Sequence, residues 1–166
     1  MAVLTQDVSR PVRGHTPQKD VVYRLAGYTN QGSGNETEEI YKGSLVIVDI
    51  SDSTGGYARA CPATGSIALT TSDIFCGIAQ HAQSVTSSNT ADGSKTVRCA
   101  QDGVWAFAKA SLTLADIGKN IYSTDDAGTL TVTSTDALWV GVLVDLDDTY
   151  AWVDISRAAG RLNSAT

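Results

Sequence analysis

Lys95-Thr96-Val97-Arg98-Cys99-Ala100-Gln101-Asp102-Gly103-Val104-Trp105-Ala106-Phe107-Ala108 sets two β-type runs on either side of Asp102-Gly103. Asp-Gly between such runs is a strong hairpin signal, because a type I′ turn needs positive φ at both central residues. The sequence therefore predicts a hairpin at Asp102-Gly103. Working outward, Leu45-Val46-Ile47-Val48-Asp49-Ile50 is the most apolar run, short, β-branched and followed by Ser51-Asp52-Ser53-Thr54-Gly55-Gly56. That pattern predicts a core strand, with Tyr57-Ala58-Arg59-Ala60 pairing back on it.

Further strands are expected at Val21–Ala26, near Phe75–Ala79, at Asn120–Ser123 and at Thr129–Thr133, the last two bracketing the turn Asp125-Asp126-Ala127-Gly128. Trp139–Val144 and Tyr150–Ile155 form a closing pair. Thr113 can cap a short helical turn, with Asp116 three residues on and Gly118 to end it. Residues 27–39 are rich in Gly, Asn, Ser and Glu and read as a loop. No long segment of period 3.6 occurs, and turn signals recur about every 8–14 residues. The fold class is all-β: a small β-sandwich or barrel-like domain with an extended N-terminal arm. The expected organisation is an arm over 1–20, a β domain over 21–156 and a flexible tail over 157–166. Pro11, Gly14 and Pro17 punctuate the arm, which fully extended would reach at most ~70 Å.

A weak internal echo runs through the chain. Gly43-Ser44-Leu45-Val46-Ile47-Val48-Asp49 precedes Phe75-Cys76-Gly77-Ile78, as Gly118-Lys119-Asn120-Ile121-Tyr122-Ser123-Thr124-Asp125 precedes Trp139-Val140-Gly141-Val142. A glycine within such a strand suggests a bulge or a close backbone approach. Two related β units packed face to face would account for the echo, and so would chance.

The 166 residues fit one domain, able to bury roughly 70% of the unfolded chain's surface without a metal or disulfide staple. The net charge of −6 argues against a nucleic-acid partner. It is unevenly spread: residues 1–24 carry a net +2, through Arg10, Arg13, Lys19 and Arg24 against Asp7 and Asp20. Arg157 and Arg161 make the other end basic too. Basic ends on an acidic body suit contact with an acidic partner surface, although short termini also vary in charge by chance. No apolar run approaches the ~18 residues of a membrane span, and the N-terminus lacks the features of a signal peptide, so the chain is expected in a cytosol. Cys61, Cys76 and Cys99 match no zinc or redox spacing and are expected as small buried apolar residues.

Catalytic residues, cofactor and metal are each expected to be none, and the chain is expected not to be an enzyme. Nucleophilic catalysis needs a nucleophile, a base and an orienting group, yet the histidines are only His15, in the arm, and His81, after a strand. There is no Gly-x-Ser-x-Gly elbow, phosphate loop or dinucleotide fingerprint. Asp125 and Asp126, and Asp145, Asp147 and Asp148, lack calcium-loop spacing and read as turn residues. Trp105, Trp139 and Trp152 fall within predicted strands, where core or interface roles are the default.

Leu114-Ala115-Asp116-Ile117-Gly118-Lys119-Asn120-Ile121-Tyr122, Asp125-Asp126, Thr129-Leu130-Thr131, Trp139-Val140-Gly141-Val142 and Ala151-Trp152-Val153-Asp154-Ile155 together resemble the C-terminal half of small tailed-phage capsid decoration (head cement) proteins. Tyr41–Val46 and Phe75–Ala79 resemble that family's first half. The resemblance spans roughly residues 40–156. It implies a β-rich virion protein on the capsid exterior, synthesised in the host cytoplasm. Its expected partners are the major capsid protein and itself, commonly as a homotrimer at local threefold axes, with no nucleic acid and no membrane. The family transfers no defined site residues. The basic arm instead suggests capsid contact through Arg10, Arg13, Lys19 and Arg24, with the arm adding a strand to a capsid sheet edge. The rival readings are another virion β protein, such as a tail or fibre-associated subunit, and a carbohydrate-binding module using exposed Trp.

Overall fold

The computed structural model describes residues 4–13, 19–27, 38–48, 50, 56–61, 69–89 and 91–163. His15 and most of the expected 27–39 loop lie outside them. Among the described residues thirteen strands run in chain order: β1 (Val12–Arg13), β2 (Asp20–Arg24), β3 (Glu38–Ile40), β4 (Leu45–Val48), β5 (Ala58–Ala60), β6 (Ile74–Ala79), β7 (Gln83–Val85), β8 (Thr96–Ala100), β9 (Val104–Ala108), β10 (Asn120–Ser123), β11 (Leu130–Thr131), β12 (Leu138–Leu146) and β13 (Tyr150–Asp154). They make a five-stranded sheet, β2-β8-β6-β4-β5, a six-stranded sheet, β1-β9-β13-β12-β10-β11, and a two-stranded ribbon, β3-β7. The all-β expectation holds, as do the β4–β5, β10–β11 and β12–β13 pairings. Among the described residues no helix is long and apolar enough to cross a membrane.

The expected hairpin at Asp102-Gly103 does not form. β8 pairs with β2 and β6, whereas β9 pairs with β13 and β1 in the other sheet. Gly103 has φ +98°, but Asp102 is not among the positive-φ residues, so a type I′ turn is not made. The connection is instead pinned from outside. Gln101 N–H donates to Lys19 O at 2.8 Å, Ile155 N–H donates to Gly103 O at 3.2 Å, and the Trp105 indole donates to Asp102 O at 2.8 Å. Each strand has two neighbours in its own sheet.

The internal echo is structural. Leaving β1 aside, the two large sheets have one strand order when each is read in chain order: β2, β4, β5, β6, β8 match β9, β10, β11, β12, β13. The registers match as well. Val46 lies opposite Gly77 and Ile47 opposite Phe75, with a bulge between. Ile121 lies opposite Gly141 and Tyr122 opposite Trp139, again with a bulge between. Ile78 pairs with Ala100 as Val142 pairs with Asp154. Gly43 N–H donates to Ala79 O and Ala79 N–H to Ser44 O; Gly118 N–H donates to Leu143 O and Leu143 N–H to Lys119 O. Gly43 and Gly118, just before β4 and β10, have φ +91° and +88°. Asp102-Gly103 is thus the joint between two copies of one five-strand unit.

The units do not pack with corresponding faces together. One cluster joins Leu45, Ile47, Phe75 and Ile78 of the first unit to Ile121, Val140, Leu143 and Val153 of the second. By register, Ile47 corresponds to Tyr122, whereas Ile121 corresponds to Val46. The stack is therefore head to tail. The far face of the first sheet, with Val46, Val48, Cys76, Val97 and Cys99, clusters with Ile40 and Val85 of the β3-β7 ribbon. Apolar packing on both faces is why Leu45–Val48 reads as an unbroken apolar run rather than an alternating one.

Both ends of the chain depart from expectation. Within the expected flexible tail, the described part is packed: Ala158 and Ala159 are buried, Leu162 bridges to Ile74, and Asn163 is 4% exposed. The Asn163 side chain accepts from Trp139 N–H and donates to Thr70 O and Ala137 O. Three partners for one amide hold this segment against the sandwich. The described part of the arm is extended but lies on its own domain, where β1 edges β9.

Candidate functional site

The second sheet's outer face is the one that corresponds to the first unit's buried face. The register puts Asn120, Tyr122, Trp139 and Val142 where the first unit has Leu45, Ile47, Phe75 and Ile78. Three of these counterparts, Asn120, Tyr122 and Trp139, carry a polar group; Asn120 is exposed and Trp139 and Val142 are partly exposed, whereas Tyr122 is buried. A groove of about 640 Å³ crosses this face between Arg13, Asp102, Gly103, Val104, Val144 and Asp145, with Asp154 and Ser156 completing it.

Arg13 organises one side of the groove. β1 holds it opposite Val104. Its guanidinium pairs with the Asp145 carboxylate, stands 3.6 Å from Asp147 Oδ2 and lies 4.0 Å over the Trp152 ring. Trp152 donates its indole N–H to Asp147 Oδ2 at 2.7 Å and meets Tyr150 edge-on with centroids 5.9 Å apart. The Trp152 hydrogen bond, with the Tyr150 and Thr149 backbone N–H groups, pulls the Asp147 carboxyl down to about 2. The Arg13 hydrogen bond does most to lower Asp145. The acids expected as turn residues are therefore also the groups that hold the arm's arginine.

Arg10 is turned inward. Its Nε donates to Gly43 O at 2.8 Å, its Nη2 donates to Ala127 O at 2.6 Å, and the guanidinium lies 4.4 Å over Phe107. Burial lowers its pKa to about 10, against the raising effect of Asp126 and Asp125. Asp126 accepts from Leu4 N–H at 3.1 Å and from Ser44 Oγ at 3.2 Å, and burial raises its pKa. Arg10 thus locks the arm down and is occupied within the chain, contrary to its expected role as a partner contact. Lys19 and Arg24 are exposed but lie just before β2 and at its last position, in the other sheet from β1. The four expected basic contacts are not one patch.

Sequence reasoning did not find Asp126, Asp147 and Trp152 as arm-holding groups. Their partners are more than a hundred residues away in sequence, and no local motif marks them. Cys61, Cys76 and Cys99 are free and buried, and burial raises each thiol's pKa. His81 is exposed. Among the described residues no group of three or more His, Cys, Asp or Glu is placed to hold a metal. Comparison with known proteins finds no matching family model, no matching curated protein and no matching solved structure.

Proposed function

We propose that this chain is a structural virion protein that binds the outer surface of a tailed-phage capsid and stabilises the expanded head. The observation carrying the reading is the asymmetry between the two sheets. The first sheet's far face is covered by the β3-β7 ribbon, while the corresponding stack ends at the second sheet on a grooved face bearing Val144, Tyr150 and the Arg13–Trp152–Asp147 cluster. That face would seat on the capsid. The sequence resemblance over roughly residues 40–156 supports the same reading. A ligand that binds only the expanded shell stabilises it by mass action, so no chemistry is required of the bound subunit.

The arm's part in this reading changes. β1 already pairs with β9, so the described arm supports the grooved face rather than donating a strand to the capsid. The carbohydrate-module reading has less support, because the face of Trp152 is covered by Arg13 and Trp105 is in the core.

The test is co-sedimentation of the full chain with expanded, undecorated heads, followed by heating. Saturable binding that raises the disruption temperature supports the reading. Val144→Glu, at a side chain 42% exposed in the groove, should weaken binding while leaving the protein's own melting unchanged. Failure to bind expanded heads at any concentration would reject it.

A further inference from the structure

The two units close differently at one seam. In the first unit the chain just past β2 reaches β5: Leu25 forms a parallel bridge to Ala58, and Ala26 N–H donates to Ala58 O at 3.0 Å. Register makes Lys109 the counterpart of Leu25, since Val22 pairs with Arg98 as Ala106 pairs with Trp152. It makes Leu130 the counterpart of Ala58, since Val48 pairs with Ala58 as Ser123 pairs with Leu130. Among the described residues no bridge joins Lys109 to Leu130, and Lys109 N–H donates instead to Thr149 O. The arm crosses at this place. Arg10 lies over Phe107 of β9 and donates to Ala127 O, in the turn before β11.

Residues 4–13 run across both units and are held by polar groups. Leu4 N–H donates to Asp126 Oδ1 at 3.1 Å, Lys42 N–H to Asp7 Oδ1 at 2.8 Å, and Val8 N–H to Lys42 O at 2.8 Å. Arg10 follows, and then Ala106 N–H donates to Pro11 O at 2.9 Å. Alternation in an antiparallel ladder makes Arg13–Val104 the next hydrogen-bonded pair. Packing adds little. No residue from Leu4 to Arg13 is buried. Val12 is the one hydrophobic side chain of the segment packed against the main core cluster. A cavity of about 200 Å³ lies beneath, between Val8, Arg10 and Val12 on one side and Lys42, Ile78 and Trp105 on the other. A segment with few buried apolar contacts opens at a lower free energy than the core it lies on.

We propose that residues 4–13 are a strap that docks and undocks as one unit while both sheets stay folded, and that its opening takes Arg13 out of the groove. Arg10, in the middle, makes the strap one unit. Its single guanidinium holds Gly43 O of the first unit and Ala127 O of the second, so its departure frees both. At the far end Arg13 forms one wall of the groove and covers the Trp152 ring. Undocking removes that wall and uncovers the ring together with the Asp145 and Asp147 carboxylates. The strap thus switches the grooved face between two forms. Its opening is a property of the free chain, and only its bearing on capsid contact rests on the function proposed above.

The repeat supplies a matched pair of variants. Gly43 and Gly118 have nearly the same φ, but a Cβ on Gly43 would lie 2.5 Å from Val8 O of the strap, whereas one on Gly118 meets nothing within 4 Å. Gly43→Ala therefore wedges the strap away, and Gly118→Ala carries the left-handed strain alone. Amide hydrogen exchange of the full chain, followed by NMR and corrected for intrinsic rates, reads the result. In the wild type Leu4, Val8, Arg13 and Ala106 should share one opening constant, at least about a hundredfold larger than those of the ladder amides in β6 and β13. Gly43→Ala should raise all four by one shared factor of about tenfold or more. Gly118→Ala, whose strain is the same with the strap docked or undocked, should leave the four unchanged. Arg10→Met, which adds no backbone strain, should raise the four together by roughly thirtyfold. Opening constants graded from Leu4 down to Arg13 would mean fraying and overturn the proposal. So would strap amides as slow as those of β6 and β13, a Gly118→Ala effect equal to that of Gly43→Ala, or an Arg10→Met effect confined to one end of the strap.

Discussion

Gly77 and Gly141 occupy the same place in the two units, at the bulge where a neighbouring strand's backbone comes closest. A Cβ on Gly77 would overlap the Ala100 carbonyl, and one on Gly141 would overlap the Asp154 carbonyl, at φ +119° and +154° respectively. Backbone cannot move aside as a flexible side chain can, so Gly77→Ala or Gly141→Ala should cost about 3 kcal/mol or more in urea denaturation. Gly118, at φ +88°, faces open space where a Cβ would sit, so Gly118→Ala should cost only about 1 kcal/mol of left-handed strain. Acid acts on single residues too. The Asp116 carboxyl is lowered to about 2, chiefly by Lys119 and then by Thr113, and Asp147 to about 2 by Trp152 and the adjoining backbone. A carboxyl whose pKa is depressed on folding adds stability above its unfolded value of about 4, and that stability is lost as pH falls toward 2. Asp126, raised by burial, works in the opposite sense, but above about pH 4, outside this window. Denaturation midpoints should thus fall between about pH 4 and pH 2, and Asp147→Asn should flatten that slope.

Among elements, the arm and the C-terminal segment each send a polar side chain, Arg10 and Asn163, into the body. Arg10→Met keeps much of the packing on Phe107 but leaves Gly43 O and Ala127 O without their donor. It should cost about 2 kcal/mol and raise amide exchange at Val12 and Arg13, read by hydrogen exchange. Asn163→Ala removes the partner of Trp139 N–H and the donors to Thr70 O and Ala137 O, and should cost about 2–3 kcal/mol in the same urea assay. The sequence marked the strands themselves well, because β-branched runs and turn residues are local. Pro and Gly in the arm, and the small residues after Arg157, read as loose for the same reason: local composition does not record a distant acceptor.

At the scale of the whole molecule, the two units share one core. Leu45, Ile47 and Phe75 of the first pack with Ile121, Val140 and Val153 of the second. Neither unit should therefore fold alone. Fragments 1–101 and 102–166 should each lack protected amides, and mixing them should restore the native circular dichroism spectrum. A fragment that folds cooperatively by itself would contradict the shared core. The head-to-tail stack also explains why the ends differ: the first unit's far face has a ribbon over it, and the second unit's corresponding stack ends on a face that presents Asn120, Trp139 and Val142.

By itself the sequence determined that the chain is all-β, where most strands lie, that Gly118 ends a short turn after Thr113, and that two stretches echo one another. These follow from local periodicity and backbone freedom. Only the tertiary structure decided that Asp102-Gly103 joins two sheets rather than two strands of a hairpin, that the echo is a repeated unit with matching bulges, and that Arg10 faces inward. Each of those depends on which distant strand wins a backbone edge or a carbonyl, a competition settled across the fold and not between neighbours in the chain.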